Sequence, residues 1–175
     1  LKVSPPGITR NYSCSRQYDN GGFAILRGGA AMLLFRYPRF RFRPGQSDLL
    51  HVDFWLGEAN LLRDAGSYSY NCEEPWQSYF PSSAAHNTVQ FDGRDAMPRL
   101  SRFLFGAWPK AYNVKRLAVA ETKRTVSAGY CDWKGASHHR AIVLTENGFS
   151  VTDEVGGFKK SAVLRWRLVP GEWCC

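Results

Sequence analysis

No hydrophobic run in this sequence approaches the roughly 18 apolar residues that a membrane-spanning helix requires. No long stretch keeps a helical period between recognisable caps, which excludes a helical bundle. No CxxC pair occurs, so the five cysteines, Cys14, Cys72, Cys131, Cys174 and Cys175, form neither a zinc ribbon nor a dithiol redox motif. Their odd number and scatter read as incidental thiols rather than a disulfide framework. The opening residues LKVSPPGITR lack the basic-then-apolar layout of a secretory signal and do not begin with Met, which reads as a piece of a longer protein. There is no internal repeat, low-complexity tract or linker-like stretch. Acids are also scarce: 15 Asp and Glu stand against 23 Lys and Arg, a formal charge of +8. That surplus favours a polyanionic partner, whether nucleic acid, anionic membrane or acidic polysaccharide.

What is present is enough apolar material for one globular domain: 175 residues, 44% hydrophobic and 14% aromatic. Strand signals dominate. GGFAILRGG and AMLLFRY are short apolar runs bounded by glycine, and RFRFRP, from Arg39, alternates arginines with Phe40 and Phe42 as a strand with an arginine stripe would. TVQFDG ends in an Asp92-Gly93 turn, and HHRAIVLTENGFSVTDEVGG is two alternating runs around Asn147-Gly148, a hairpin signature. One helical turn is expected after Pro75. The last strand, SAVLRWRLVPGEW, runs to the C-terminal end with no closing partner in sequence. Together these predict an all-β fold, an antiparallel β-sandwich whose sheet is cut at its C-terminal end.

The polar residues that stand out lie in DLLHVDFWLGEANLLRDAGSYSYN, residues 48–71. As a strand it places His51 and Asp53 on one face and Asp48 on the other. An aspartate beside an imidazole raises its basicity and orients it, as a general base or metal ligand needs; an ion pair tying strand to turn fits equally. Asp64 follows an apolar run just before Gly66, where turn capping and site chemistry both favour Asp. In SSAAHNTVQFDG, His86 is able to bind a metal or move a proton, and Asn87 to hydrogen-bond a carboxylate. Asp64, His86 and His51 or Asp48 are spread over consecutive strands, as a zinc site on a sheet requires. His138 and His139 are neighbours on opposite faces, so one at most joins any single site.

The blocks RPGQSDLLHVDFWLGEANLLRDAGSYSYN, YFPSSAAHNTVQFDG, HHRAIVLTENGFSVTDEVGG and LRWRLVPGEW, in that order, resemble the C-terminal β-domain of the heparinase II/III-like polysaccharide lyases. The resemblance covers 23–175, leaving 1–22 as an extension or linker from a preceding helical domain. It implies a sandwich of the supersandwich kind, packed in its parent chain against an N-terminal helical toroid. It also implies that acidic, uronate-containing polysaccharides such as heparan sulfate or alginate are cleaved by β-elimination in the cleft between the two halves. The source is then a bacterium, with periplasm and cytoplasm both open, and the sheet half alone is expected to be inactive or weak.

Members of the heparinase II kind hold zinc with a His, an Asp and a second His, which fall here on Gln46, Asp64 and His86. Glutamine is a departure, so a metal needs His51 or water to complete its shell. A further family histidine falls on Pro44, leaving His51 as the catalytic histidine this domain is able to offer, with Tyr68 of the GSY turn beside the cleft. Arg43, Gln46 and Asn87 are expected to hold substrate. A non-catalytic acidic-carbohydrate-binding or scaffold domain is the alternative, because Pro44 and Gln46 replace site histidines. Nucleic-acid binding through RYPRFRFRP is disfavoured, because the rings would alternate away from the arginines into the core.

Overall fold

Gly29 and Gly57 close two hairpins of the first sheet at φ 55° and 58°, in the left-handed region that glycine enters at little cost. The computed structural model describes residues 14–173. Its first sheet has five antiparallel strands in sequence order: β1 Arg16–Tyr18, β2 Phe23–Gly28, β3 Ala31–Arg36, β4 Val52–Leu56 and β5 Ala59–Leu62. In β2 the side chains of Ala24 and Leu26 point inward, and the register pairs Leu26 with Leu33 and Leu33 with Phe54. β1 lies within the segment read as an extension and pairs with β2; residues 1–13 lie outside the described residues.

A long connection, residues 63–88, follows and carries the α-helical turn α1 Trp76–Tyr79, directly after Pro75 as expected. Then come β6 Val89–Phe91 and the small hairpin of β7 Arg99–Ser101 with β8 Leu104–Phe105. The second sheet holds β9 Tyr112–Val119, β10 Lys123–Cys131, β11 Ser137–Thr145 and β12 Gly148–Gly156, in the order β12-β11-β10-β9. Strict alternation along β11 buries His138, Arg140, Ile142 and Leu144 on one face. The expected β11–β12 hairpin is present; its turn is Glu146-Asn147, with Thr145 paired to Gly148. Leu26, Leu33, Phe35 and Phe54 of the first sheet meet Val126, Ala128, Tyr130, Ile142 and Leu144 of the second in one core, so the fold is the antiparallel sandwich expected. Among the described residues no helix is long and apolar enough to cross a membrane.

Two strand expectations are corrected. Residues 39–44 form no strand: β3 ends at Arg36 and Pro38 and Pro44 bracket an irregular loop, because proline offers no N–H to a ladder. Phe40 tucks toward Trp108, ring centroids 6.2 Å apart, but Phe42 is 81% exposed, so the arginines and rings do not sort onto two faces. The last strand does have partners. β13 Ala162–Leu164 pairs with β6, Arg165 N–H bonds Thr88 O, and Val169 N–H bonds Leu61 O, so this segment stitches β6 to β5. Among the described cysteines, Cys14, Cys72 and Cys131 do not pair with one another; Cys174 and Cys175 lie outside the described residues.

Candidate functional site

Leu50 sits at φ 57°, unusual for a branched side chain, and its carbonyl is held at 2.7 Å by the buried Arg140 guanidinium. This kink places His51 ahead of β4 rather than in it, and so undoes the expected pairing of His51 with Asp53 on one strand face. Asp53 instead accepts the Asp64 N–H at 3.4 Å, behind the site. The carboxylate nearest His51 is that of Asp64, with Oδ2 3.8 Å from His51 Nε2.

Asp64 serves a turn and a cluster at once. Its Oδ1 accepts the Gly66 N–H at 2.6 Å, closing the turn after β5, while Oδ2 stands 3.2 Å from His86 Nε2. His86, wholly buried, places Nδ1 2.7 Å from the Ser82 carbonyl, and its Nε2 is also 3.3 Å from Gln46 Oε1. A carbonyl only accepts, so His86 Nδ1 carries a hydrogen. With Asp64 acting as an acceptor on the other side, the doubly protonated ring suits both neighbours. Burial opposes that charge, but the Asp64 hydrogen bond and the charges of Asp48 and Asp64 outweigh it and raise the His86 pKa. Burial likewise works against the Asp64 charge, and is overcome by His86, the Gly66 N–H and His51, leaving its carboxyl below the ordinary value.

His51 is the opposite case. Its Nδ1 accepts the Asn87 N–H at 3.0 Å, so the single hydrogen of the neutral ring sits on Nε2, facing Asp64. Burial first, and then the charge of His86, push its pKa down to about 3. The two rings meet edge to face, centroids 5.4 Å apart. One proton shared over this pair thus resides on His86. Among the described residues no group of three or more His, Cys, Asp or Glu side chains stands in metal-holding geometry.

The other expected site residues distribute as follows. Gln46 touches the cluster through His86. Asn87 is buried, with its amide nitrogen on the Val52 and Arg63 carbonyls and its Oδ1 accepting the Arg167 N–H, so its side chain joins β4, β5 and the C-terminal segment. Tyr68 is 74% exposed and stacks on Phe80 at 5.4 Å and 15°. Arg43 is exposed on the 39–44 loop and lines a different depression, with Arg39 and Phe42. His138 is buried and outside the cluster, 2.7 Å from Asp153 through Nε2.

Beside Gln46 opens a cleft of about 350 Å³ whose walls include Tyr70, Trp76, Phe80, Arg99 and Arg102. Sequence reasoning passed over both arginines, which sit in an ordinary-looking hairpin. It also passed over Arg140, which makes a bidentate pair with Asp153 at 2.7 and 2.9 Å and bonds the carbonyls of Leu50 and Asn87, one residue from each cluster histidine. A signal was there: Arg140 falls in the apolar phase of HHRAIVL, where a charge must be paired.

A sequence profile of the heparinase II/III-like C-terminal family matches residues 11–172. The chain belongs to that family. The heparinase II/III-like domain also superposes on solved structures: a heparinase III gene product, with TM-score 0.74 and 22% identity over 92% of this chain, and heparan sulfate lyase HepC from Pedobacter heparinus, with TM-score 0.64 and 18% identity over 85%. At that identity the likeness is one of fold. The domain spans only 25% and 23% of those two chains, about a quarter of their length. No curated protein sequence matches it at a significant level.

Proposed function

We propose that this domain is the β-sandwich portion of a bacterial polysaccharide lyase that cleaves acidic, uronate-containing polysaccharides by β-elimination, its helical half lying elsewhere in the parent chain. The observation that carries the reading is the convergence of His51 and His86 on one oxygen of Asp64, with Gln46 linking that cluster to a cleft walled by arginines and aromatic rings. In β-elimination a base takes the C5 proton of the uronate, its electrons form the C4–C5 double bond, and the C4–O bond breaks as an acid protonates the leaving oxygen. Neutralising the uronate carboxylate makes that proton removable, which is a task for arginines.

Within this domain His51 has its lone pair engaged by Asn87 N–H, so it orients Asp64 more readily than it moves protons. Tyr68 is an exposed hydroxyl stacked on a ring of the cleft wall, Phe80. We therefore expect the isolated domain to give no unsaturated uronate from heparan sulfate or alginate, read by its ultraviolet absorbance, and the parent chain with its helical half to give it. Robust product from the domain alone would defeat this reading. Binding of acidic glycans without cleavage by the parent would favour the alternative, a carbohydrate-binding scaffold.

Zinc is a separate proposal. Asp64 Oδ2 and His86 Nε2 would hold it, tying the turn after β5 to the segment before β6, but Gln46 brings an oxygen and His51 an N–H where a third ligand nitrogen is wanted. The donor set is one nitrogen short, so the native domain should bind zinc weakly. Gln46→His is expected to retain stoichiometric zinc through dialysis, measured by elemental analysis; stoichiometric zinc in the native domain, lost in His86→Ala, would show that Gln46 or water suffices.

A further inference from the structure

Three arginines turn the same way where the C-terminal segment crosses the end of β5. Leu62 and Leu168 are antiparallel bridge partners and the Arg63 N–H donates to the Arg167 carbonyl at 3.0 Å, so Arg63 and Arg167 stand directly opposite each other. Leu62 and Trp166 turn into the core, which sends Arg63, Arg165 and Arg167 to the other side. Like charges opposed on neighbouring strands repel, so this arrangement costs stability unless a negative charge joins them. Among the described residues no acid forms a salt bridge with any of the three. Other arginines as sheltered as these do have one: Arg36 holds Asp48 at 2.5 Å, Arg94 holds Asp132 at 2.6 Å and Arg140 holds Asp153 at 2.7 Å.

We infer that Arg63, Arg165 and Arg167, with the Tyr79 hydroxyl, form a binding site for a small tetrahedral dianion, free inorganic phosphate or sulfate. All three arginines are half-buried, and each keeps one nitrogen out of water with no acceptor among the described residues: Arg63 Nε, Arg165 Nη1 and Arg167 Nε. Arg167 Nη1 donates to the Tyr79 hydroxyl at 2.8 Å, and that hydroxyl keeps its own hydrogen to give. Every group here is thus a donor, and the matching ligand is one that only accepts. A charge of two offsets more of the mutual repulsion than a single carboxylate does, and guanidinium forks fit the paired oxygens of a tetrahedral oxyanion. None of these four residues lines the cleft beside Gln46, so the site stands whether or not the parent chain is a lyase. An anion seated there ties β5, the C-terminal segment and the α1 turn together.

The test is calorimetric titration of the domain with sodium phosphate, sodium sulfate and sodium methyl sulfate at neutral pH, with sodium chloride holding the ionic strength fixed. We expect phosphate, sulfate or both to bind saturably, one per chain, and methyl sulfate, which keeps the head but a single charge, to bind about tenfold more weakly or not at all. Arg63→Gln, Arg165→Gln and Arg167→Gln should each weaken binding about tenfold or more, while Arg116→Gln, on β9, changes it less than about twofold. No binding overturns the site, methyl sulfate binding as well as sulfate overturns the dianion, and equal losses from Arg116→Gln and the three variants would mean diffuse surface charge. A second readout is the urea midpoint with and without the anion. Arg63→Gln should leave the anion-free midpoint unchanged or raise it, by relieving the repulsion, and should cancel the rise that the anion gives the native domain. A rise of equal size in both proteins would be the general salting effect of these ions, and a variant already less stable without the anion would make Arg63 an ordinary structural residue; either result overturns the site.

Discussion

Arg140→Met is expected to cost about 3–5 kcal/mol of stability, the largest loss of any single substitution considered, read as a fall in the urea midpoint of the domain. The guanidinium is wholly buried between the sheets. It gives two hydrogen bonds to Asp153 and one each to the Leu50 and Asn87 carbonyls, and lies 5.0 Å from the Trp166 ring centroid. Methionine fills much of the space but leaves the Asp153 charge without its partner and two carbonyls without donors, and unmet buried polar groups are what make such changes severe. The double variant Arg140→Met with Asp153→Asn should lose less than the single one, because no uncompensated charge remains. Additive losses would show that the pair does not act as a unit.

The second large effect is acid sensitivity. Burial, with the Arg140 charge adding to it, lowers the His138 pKa below its ordinary 6.5 despite the Asp153 hydrogen bond, and His51 is pushed down to about 3. For a histidine lowered in the folded state, the unfolded chain binds the proton first as pH falls. Stability therefore drops from about pH 6.5 downward, until the folded value is reached. His86, raised, has the opposite sign: its contribution is complete below 6.5 and fades as pH rises through its folded value. Asp153, held low by His138 and Arg140 against the opposing effect of burial, contributes in full above its ordinary 3.8 and begins to lose that contribution only as pH falls past it. The two buried neutral imidazoles leave a net loss on the order of a few kcal/mol between about pH 6.5 and pH 4, a window in which the His86 contribution is already complete. Urea midpoints across that range check it, and His51→Asn with His138→Asn should flatten the slope. A native profile already flat there would mean that these rings are not buried neutral.

Much of the sandwich was legible because its longest strands keep a period of two and close on tight turns: β11 and β12 could be read from HHRAIVLTENGFSVTDEVGG, and the turn after Pro75 from its proline. The 39–44 loop misled for the same reason, since RFRFRP alternates in sequence while flanking prolines deny it a ladder. At the site, Asp64, His86 and Gln46 do come together, but the orientation of His51 does not follow from local sequence. It depends on a leucine in the left-handed region, held there by Arg140, a residue far away in sequence. Asp64 caps its turn with one oxygen and meets His86 with the other.

Arg140 and Asp153 also face one another as registered partners on β11 and β12. Sliding one of those strands by two positions would keep oil facing oil, so hydrophobicity alone would tolerate the error. The same slide would strand a guanidinium opposite a neutral side chain. The polar pair thus acts as a locating pin, choosing one alignment from several that a purely greasy interior would leave nearly equal.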